Sequence, residues 1–129
     1  MKFIVDRTKW YRGKSENSSK LLFPGTQKMC CLGFVALQCG FTPKAIQGVA
    51  TPGMISFEFV FDTPKYTKKQ FPRGFRFLLG LDINGDWEDS KMSHRAMEIN
   101  DDAALTDKQR ERKLKELFKR AGHQIMFVN

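Results

Sequence analysis

Two kinds of residue in this chain could do chemistry: thiols, and cations set among aromatic rings. Cys30 and Cys31 stand side by side, Cys39 follows in the same apolar run, and the two histidines, His94 and His123, lie far along the chain. A cysteine that opens a helix meets free amides and the positive end of the helix dipole, which lower a thiol pKa and favour an anion. Nucleophilic catalysis also needs an oriented base, and nothing around His123 supplies a third group, while His94 falls in a predicted helix. The plainer alternative takes the cysteines as small apolar core residues, and it is the one carried forward: no catalytic residue is assigned. Three cysteines and two distant histidines do not give the paired four-ligand spacing of a zinc site. Asp82 to Trp87 partly follows the acidic spacing of a calcium loop, but Trp87 stands where the sharp-turn glycine belongs and Ser93 where the bidentate glutamate belongs. No metal and no cofactor is expected.

The stronger hint is electrostatic. Between Lys65 and Phe77 there are five cations, Lys65, Lys68, Lys69, Arg73 and Arg76, and no acid, with Tyr66, Phe71, Phe75 and Phe77 among them. Phosphates want cations, and base rings want aromatic or guanidinium planes to stack on, so the mixture suits a nucleotide or single-stranded nucleic acid. Trp10, Tyr11 and Arg12 repeat it on a second loop, and Lys28 adds a charge before the apolar run. These ten residues, Trp10, Tyr11, Arg12, Lys28, Lys65, Tyr66, Lys68, Lys69, Arg73 and Arg76, are the candidate ligand-binding set. The competing reading makes the phenylalanines core and the lysines a solvated rim, since no recognised nucleic-acid motif accompanies the charge.

The elements that must position these residues hang from Lys28 to Gly40, where apolar and small residues occupy nearly every position. Met29 to Cys39 is too long for an ordinary buried strand and ends at a glycine, so it predicts a helix wrapped on all sides by the fold. Before it, Lys2 to Asp6 reads as a strand and Leu21 to Phe23 as a short one. After it, Thr42-Pro43 supplies an N-cap and a first-turn proline for a brief helix ending at Gly48. Thr51-Pro52-Gly53 is a turn, Phe57, Phe59 and Phe61 alternate as in a strand, Lys65 to Arg76 is a loop, and Phe75 to Leu81 is a further candidate strand. Asn84-Gly85 reads as a tight turn. Ser90 to Ile99 predicts a helix with Met92, Ala96 and Ile99 inward.

Thr106 to Gln109 is a capping box that opens a helix whose apolar stripe is Leu114, Leu117, Phe118 and Ala121, closed by Gly122. Its remaining positions are almost all charged and read as a solvated face with Glu111–Lys115 and Glu116–Arg120 pairs. Ile125 to Val128 is a terminal strand expected to pair with or near the first. The expected fold is one α+β domain spanning 1–129, a small antiparallel or mixed sheet packed on the buried central helix, with a C-terminal amphipathic helix and terminal strand.

Composition sets the wider frame. At 129 residues the chain is long enough for one core without staples, and 22 Lys and Arg against 14 Asp and Glu give +8. Residues 1–81 carry 13 basic and four acidic groups, a balance of +9, whereas 82–129 carry nine and ten, a balance of −1. Such a field draws phosphates, acidic protein surfaces or anionic lipid. An odd cysteine count with two adjacent argues for reduced thiols. The first residues hold too short an apolar stretch for a signal peptide, and no run approaches spanning length, so no membrane partner is expected.

Several short signatures occur together: Trp10-Tyr-Arg-Gly13, Leu21-Leu22, Met29-Cys-Cys-Leu-Gly33 with Cys39-Gly40, Ile99-Asn-Asp101, and Leu105 to Val128 with Arg110-Glu111, Leu117-Phe118, Gly122 and Ile125-Met-Phe-Val128. As a set they resemble a group of small, uncharacterised phage- and prophage-encoded proteins, over the two ends and the central helix but not over Thr51 to Asp89. That resemblance carries no functional residue. It implies a context, the host bacterial cytoplasm, in which small accessory phage proteins act against host defence by binding an immune protein or by holding a nucleotide signal. The stretch from Cys30 through Gly33-Phe34-Val35 is also similar, remotely, to the nucleophile helix of papain-like peptidases of the cell-wall amidase type. It departs from them in lacking an acid before the cysteine and in placing His94 on a predicted helix, which leaves His123, at the last strand, as the histidine in the expected kind of position.

The sequence thus leads to a non-enzymatic binding protein that counteracts antiviral defence by sequestering an anionic nucleotide. An inhibitor of a host defence protein with an acidic surface, a general nucleic-acid binder and, last, a cysteine-dependent hydrolase are the alternatives. A homo-oligomer is left open.

Overall fold

The computed structural model describes residues 1–13, 19–55 and 87–129, with backbone only for 87–91. Its elements in chain order are β1 (Lys2–Asp6), α1 (Cys31–Gln38), α2 (Pro43–Ile46), a 3-10 turn (Pro52–Met54), α3 (Trp87–Asp101), α4 (Asp107–Arg120) and β2 (Gln124–Val128). Helices and sheet share one hydrophobic core, an α+β arrangement. The candidate strands Phe57–Phe61 and Phe75–Leu81, the loop Lys65–Arg76 and the Asn84-Gly85 turn lie outside the described residues.

The chain's two terminal strands pair with each other, Lys2 opposite Gln124 through Asp6 opposite Val128, and they run parallel. Among the described residues the sheet is this parallel pair, which corrects the antiparallel form of the expectation. Parallel neighbours need a crossover, and α4 is its last leg. Gly122, at φ +82°, turns the chain out of α4 so that β2 returns along β1. Phe3 and Val5 of β1, with Ile125 and Phe127 of β2, point into the core, while Ile4 and Met126 face outward. The outer edge of β1 is closed by a side chain: Ile4 N–H donates to Gln38 Oε1 at 2.9 Å, and Gln38 Nε2 donates back to the Ile4 carbonyl at 2.7 Å. The edge is thereby denied to another strand.

α1 is the expected spindle, buried from Cys31 to Ala36. It begins two residues later than the apolar run suggests. The cause is Met29, whose backbone is taken by the loop before it: Met29 N–H donates to the Lys9 carbonyl at 3.0 Å and its carbonyl accepts from Tyr11 N–H at 2.8 Å. Gly33 is required at its position, because a Cβ there would lie 1.8 Å from the Leu21 carbonyl oxygen and 2.9 Å from Met29 Cβ. Leu21 to Phe23 forms no strand. It contributes a single bridge, Leu22 with Gln47, and crosses α1 closely enough to exclude a methyl.

α2 is capped as expected, Ala45 N–H donating to Thr42 Oγ1 at 3.2 Å. α3 buries Ala96 and Ile99 and partly covers Met92. In α4 both bonds of the capping box form: Gln109 N–H donates to Thr106 Oγ1 at 3.2 Å, and Thr106 N–H to Gln109 Oε1 at 2.9 Å. Leu114, Leu117 and Phe118 pack inward, and Phe118 meets Phe3 edge-on with ring centres 5.9 Å apart. Burying each such side chain contributes about 1.5–3 kcal/mol, which fixes α4 on the sheet and leaves its opposite face to solvent.

Candidate anion-binding site

The loop set from the sequence divides once its side chains are placed. Trp10 is 2% exposed. Its indole N–H donates to Asn100 Oδ1 at 2.7 Å, and its ring packs on Phe127 at 4.7 Å. The Arg12 guanidinium covers the same indole at 4.7 Å and pairs with Asp107 at 2.9 Å. Trp10 and Arg12 thus lie against each other and the core, and a buried indole under a paired guanidinium has no exposed face for a base. Tyr11 is half-buried against the Phe23 ring at 4.4 Å. Lys28 is exposed, with Nζ donating to the Thr8 carbonyl at 2.6 Å. Lys65, Tyr66, Lys68, Lys69, Arg73 and Arg76 lie outside the described residues.

Trp10 belongs to a buried polar knot centred on Asn100, itself wholly buried at the end of α3. Asn100 Oδ1 accepts from Trp10 and from Cys31 N–H at 3.1 Å, so a residue of α3 caps the first turn of α1. Asn100 Nδ2 donates to the Tyr11 carbonyl at 3.0 Å, to Ser19 Oγ at 3.1 Å and to Asp101 Oδ1 at 2.8 Å. Asp101 accepts in turn from Gly13 N–H at 3.2 Å, from Ser19 N–H at 3.3 Å and from the Ser19 hydroxyl. Next to it Arg110, 1% exposed, donates to the Asp102 carbonyl at 2.5 Å, the Leu105 carbonyl at 3.2 Å and Asp107 at 2.7 Å. Asp107 thus bridges Arg12 and Arg110. Arg110 Nε is buried without a hydrogen-bond partner, whereas both ends of the Asn100 amide are satisfied, and a buried network of this kind stabilises one arrangement of the chain.

The thiols are sealed. Cys30, Cys31 and Cys39 form no disulfide, and all three are buried. Burial pushes the Cys30 thiol up from its ordinary value near 9 to about 12, and burial beside Cys30 pushes Cys31 up as well. Desolvation outweighs the helix start that was expected to lower them. The Cys31 thiol donates to the Ala96 carbonyl at 3.9 Å, and no imidazole hydrogen-bonds Cys30 or Cys31. His94 is exposed on α3, and His123 Nδ1 lies 2.9 Å from the amino nitrogen of Met1. Among the described residues no group of three or more His, Cys, Asp or Glu could hold a metal ion. No described helix is long and apolar enough to cross a membrane.

What remains accessible is a face that the sequence reading treated as plain solvent exposure. The outer side of α4 carries Lys108, Arg112, Lys115 and Lys119, all exposed, at spacings of four, three and four, which puts them in one stripe. Three of them, Lys108, Arg112 and Lys115, border a groove of about 470 Å³ whose described lining also includes Thr106, Gln109 and Glu111. The expected Glu111–Lys115 and Glu116–Arg120 pairs do not form. Glu111 is instead held by Arg7 through both oxygens, at 2.6 and 2.9 Å, and Lys115 sits 5.9 Å from the centre of the Phe127 ring. Arg7 is raised above its ordinary pKa by that bond to Glu111. The signal for this stripe was in the sequence, as the helical spacing of the four cations, but net charge over 82–129 hid it.

Searches of protein-family models, of curated proteins and of solved structures find nothing that matches this chain.

Proposed function

We propose that this is a non-enzymatic binding protein that counteracts host antiviral defence by sequestering an anionic nucleotide signal. The observation that supports it is the α4 stripe: exposed cations stand beside a groove of about 470 Å³, and the groove's own acid, Glu111, is paired with Arg7, which follows directly on β1. That volume lies within the range of small-molecule sites, roughly 300–1,000 Å³. The sealed thiols speak for holding a ligand over cleaving one. The likeness to phage and prophage proteins supplies the defence context and, with it, the host cytoplasm as the place of action.

Calorimetric titration with a panel of linear and cyclic nucleotides at low salt tests the reading. Heat is expected with at least one of them, and silence with all ends it. One observation favours a second reading, an inhibitor docking on an acidic host defence protein: the groove lies along one exposed helix, and no aromatic ring is among its described lining residues. That reading expects a partner retained in native mass spectra from host lysate and no response to nucleotides.

A further inference from the structure

We propose that the outer face of α4 is a phosphate site, with Arg112 as its fork and Lys108 and Lys115 as its flanking charges. The inference rests on the reading that the protein binds an anionic ligand, and it names where and through what chemistry.

Three observations carry it. First, among the described residues no carboxylate is in ion-pairing reach of Lys108, Arg112 or Lys115, although α4 holds Asp107, Glu111 and Glu116. Asp107 is divided between Arg12 and Arg110, and Glu111 is clasped by Arg7. Two of the three acids of α4 are thus taken up by arginines, and Glu116, exposed one turn on from Arg112, is in ion-pairing reach of none of the three cations. Second, the stripe is held in place. α4 is anchored by its buried apolar side, and the Lys115 ammonium lies near the Phe127 ring, a contact that limits where the charge can go. Third, the rim has a neutral donor in place, because the capping box uses the Gln109 side-chain oxygen and leaves its amide Nε2 for a ligand.

The chemistry of the lining selects the ligand class. A guanidinium makes paired hydrogen bonds to phosphate oxygens, and ammonium groups on either side act as point charges. At 1.5 Å of rise per residue, Lys108 and Lys115 stand roughly 10 Å apart along the helix, which suits a chain of linked phosphates better than one. With no ring among the described lining, recognition rests on the charged end of the ligand and is indifferent to the base.

The test uses the full chain and inorganic tripolyphosphate, followed by calorimetry and ³¹P shifts, with a nucleoside triphosphate and poly-glutamate as parallel probes. Arg112→Glu is compared with Lys113→Glu, which makes the same change in net charge about 130° round the helix from the stripe. Melting curves check that both variants fold. The site predicts binding of tripolyphosphate by the native protein, weakening of at least about tenfold in Arg112→Glu, the equivalent of one charge-assisted hydrogen bond, and less than about threefold in Lys113→Glu. Equal weakening by the two variants, no binding of tripolyphosphate, or tighter binding of poly-glutamate than of tripolyphosphate would each overturn it. Binding of tripolyphosphate at the stripe without binding of any nucleotide keeps the site and removes the nucleotide reading.

Discussion

Replacing Asn100 by alanine tests whether the buried knot holds the fold together. The change removes one oxygen that serves two buried donors, the Trp10 indole N–H at 2.7 Å and the Cys31 amide at 3.1 Å, and one amide that serves the Tyr11 carbonyl and Ser19. Ser19 and Asp101 keep each other, so the groups left without a partner are the two N–H donors and the Tyr11 carbonyl. A buried polar group stripped of its partner costs about 1–3 kcal/mol. The two donors alone therefore predict a loss of about 2–6 kcal/mol, a large share of the roughly 5–15 kcal/mol that holds a domain folded. Urea unfolding followed by far-UV circular dichroism measures it. Trp10→Phe is the companion variant: it deletes one donor while Cys31 still occupies the Asn100 oxygen, so it should cost about 1 kcal/mol for that bond, plus whatever packing the smaller ring loses. A double-mutant cycle should then return a coupling of about 1 kcal/mol between the two side chains. If Asn100→Ala unfolds within about 1 kcal/mol of the native chain, the knot is incidental and this reasoning fails.

Other outcomes follow from the same contacts. Gly33→Ala should gain up to about 1 kcal/mol if helix propensity governs, and should lose about 3 kcal/mol or more if the 1.8 Å approach to the Leu21 carbonyl governs; the contact predicts a lower melting temperature, and a higher one would refute it. In the native protein an aromatic disulfide reagent at pH 8 should leave all three thiols unlabelled over minutes and label all three in denaturant; fast native labelling of Cys30 or Cys31 would reopen nucleophilic chemistry. Because the folded Cys30 thiol sits at about 12 against an ordinary value near 9, its contribution to stability is fully present below about pH 9 and is lost as pH rises toward 12. Denaturant midpoints across that window should fall less steeply for Cys30→Ala than for the native chain, by up to about 1.4 kcal/mol per pH unit.

Local signals were legible in the sequence and long-range ones were not. The capping box at Thr106 and the stripe through Leu114, Leu117 and Phe118 needed only residues within α4, and both hold. The apolar run gave α1, and the terminal strands paired with each other as expected. Strand direction was not legible, because an alternating pattern is the same read either way. Trp10 and Arg12 misled for a related reason: an aromatic beside a cation looks alike on a loop and in a core, and what decides is Asn100, far along the chain. Glu111 likewise had Lys115 in prospect as its partner, and the one it takes, Arg7, follows directly on β1. The signatures that carried the phage-protein resemblance, Trp10 to Gly13, Cys31, Asn100-Asp101 and Arg110, turn out to be members or neighbours of the knot. They encode how this chain closes on itself.

The central claim is that an anion is held and returned unchanged. Incubating the protein with the nucleotide panel at low salt, removing unbound material, denaturing the protein and identifying what is released by mass spectrometry reads both halves at once. The account predicts a nucleotide recovered intact, in an amount that falls steeply when salt is raised. An empty eluate, or a nucleotide released with a bond broken, would contradict it.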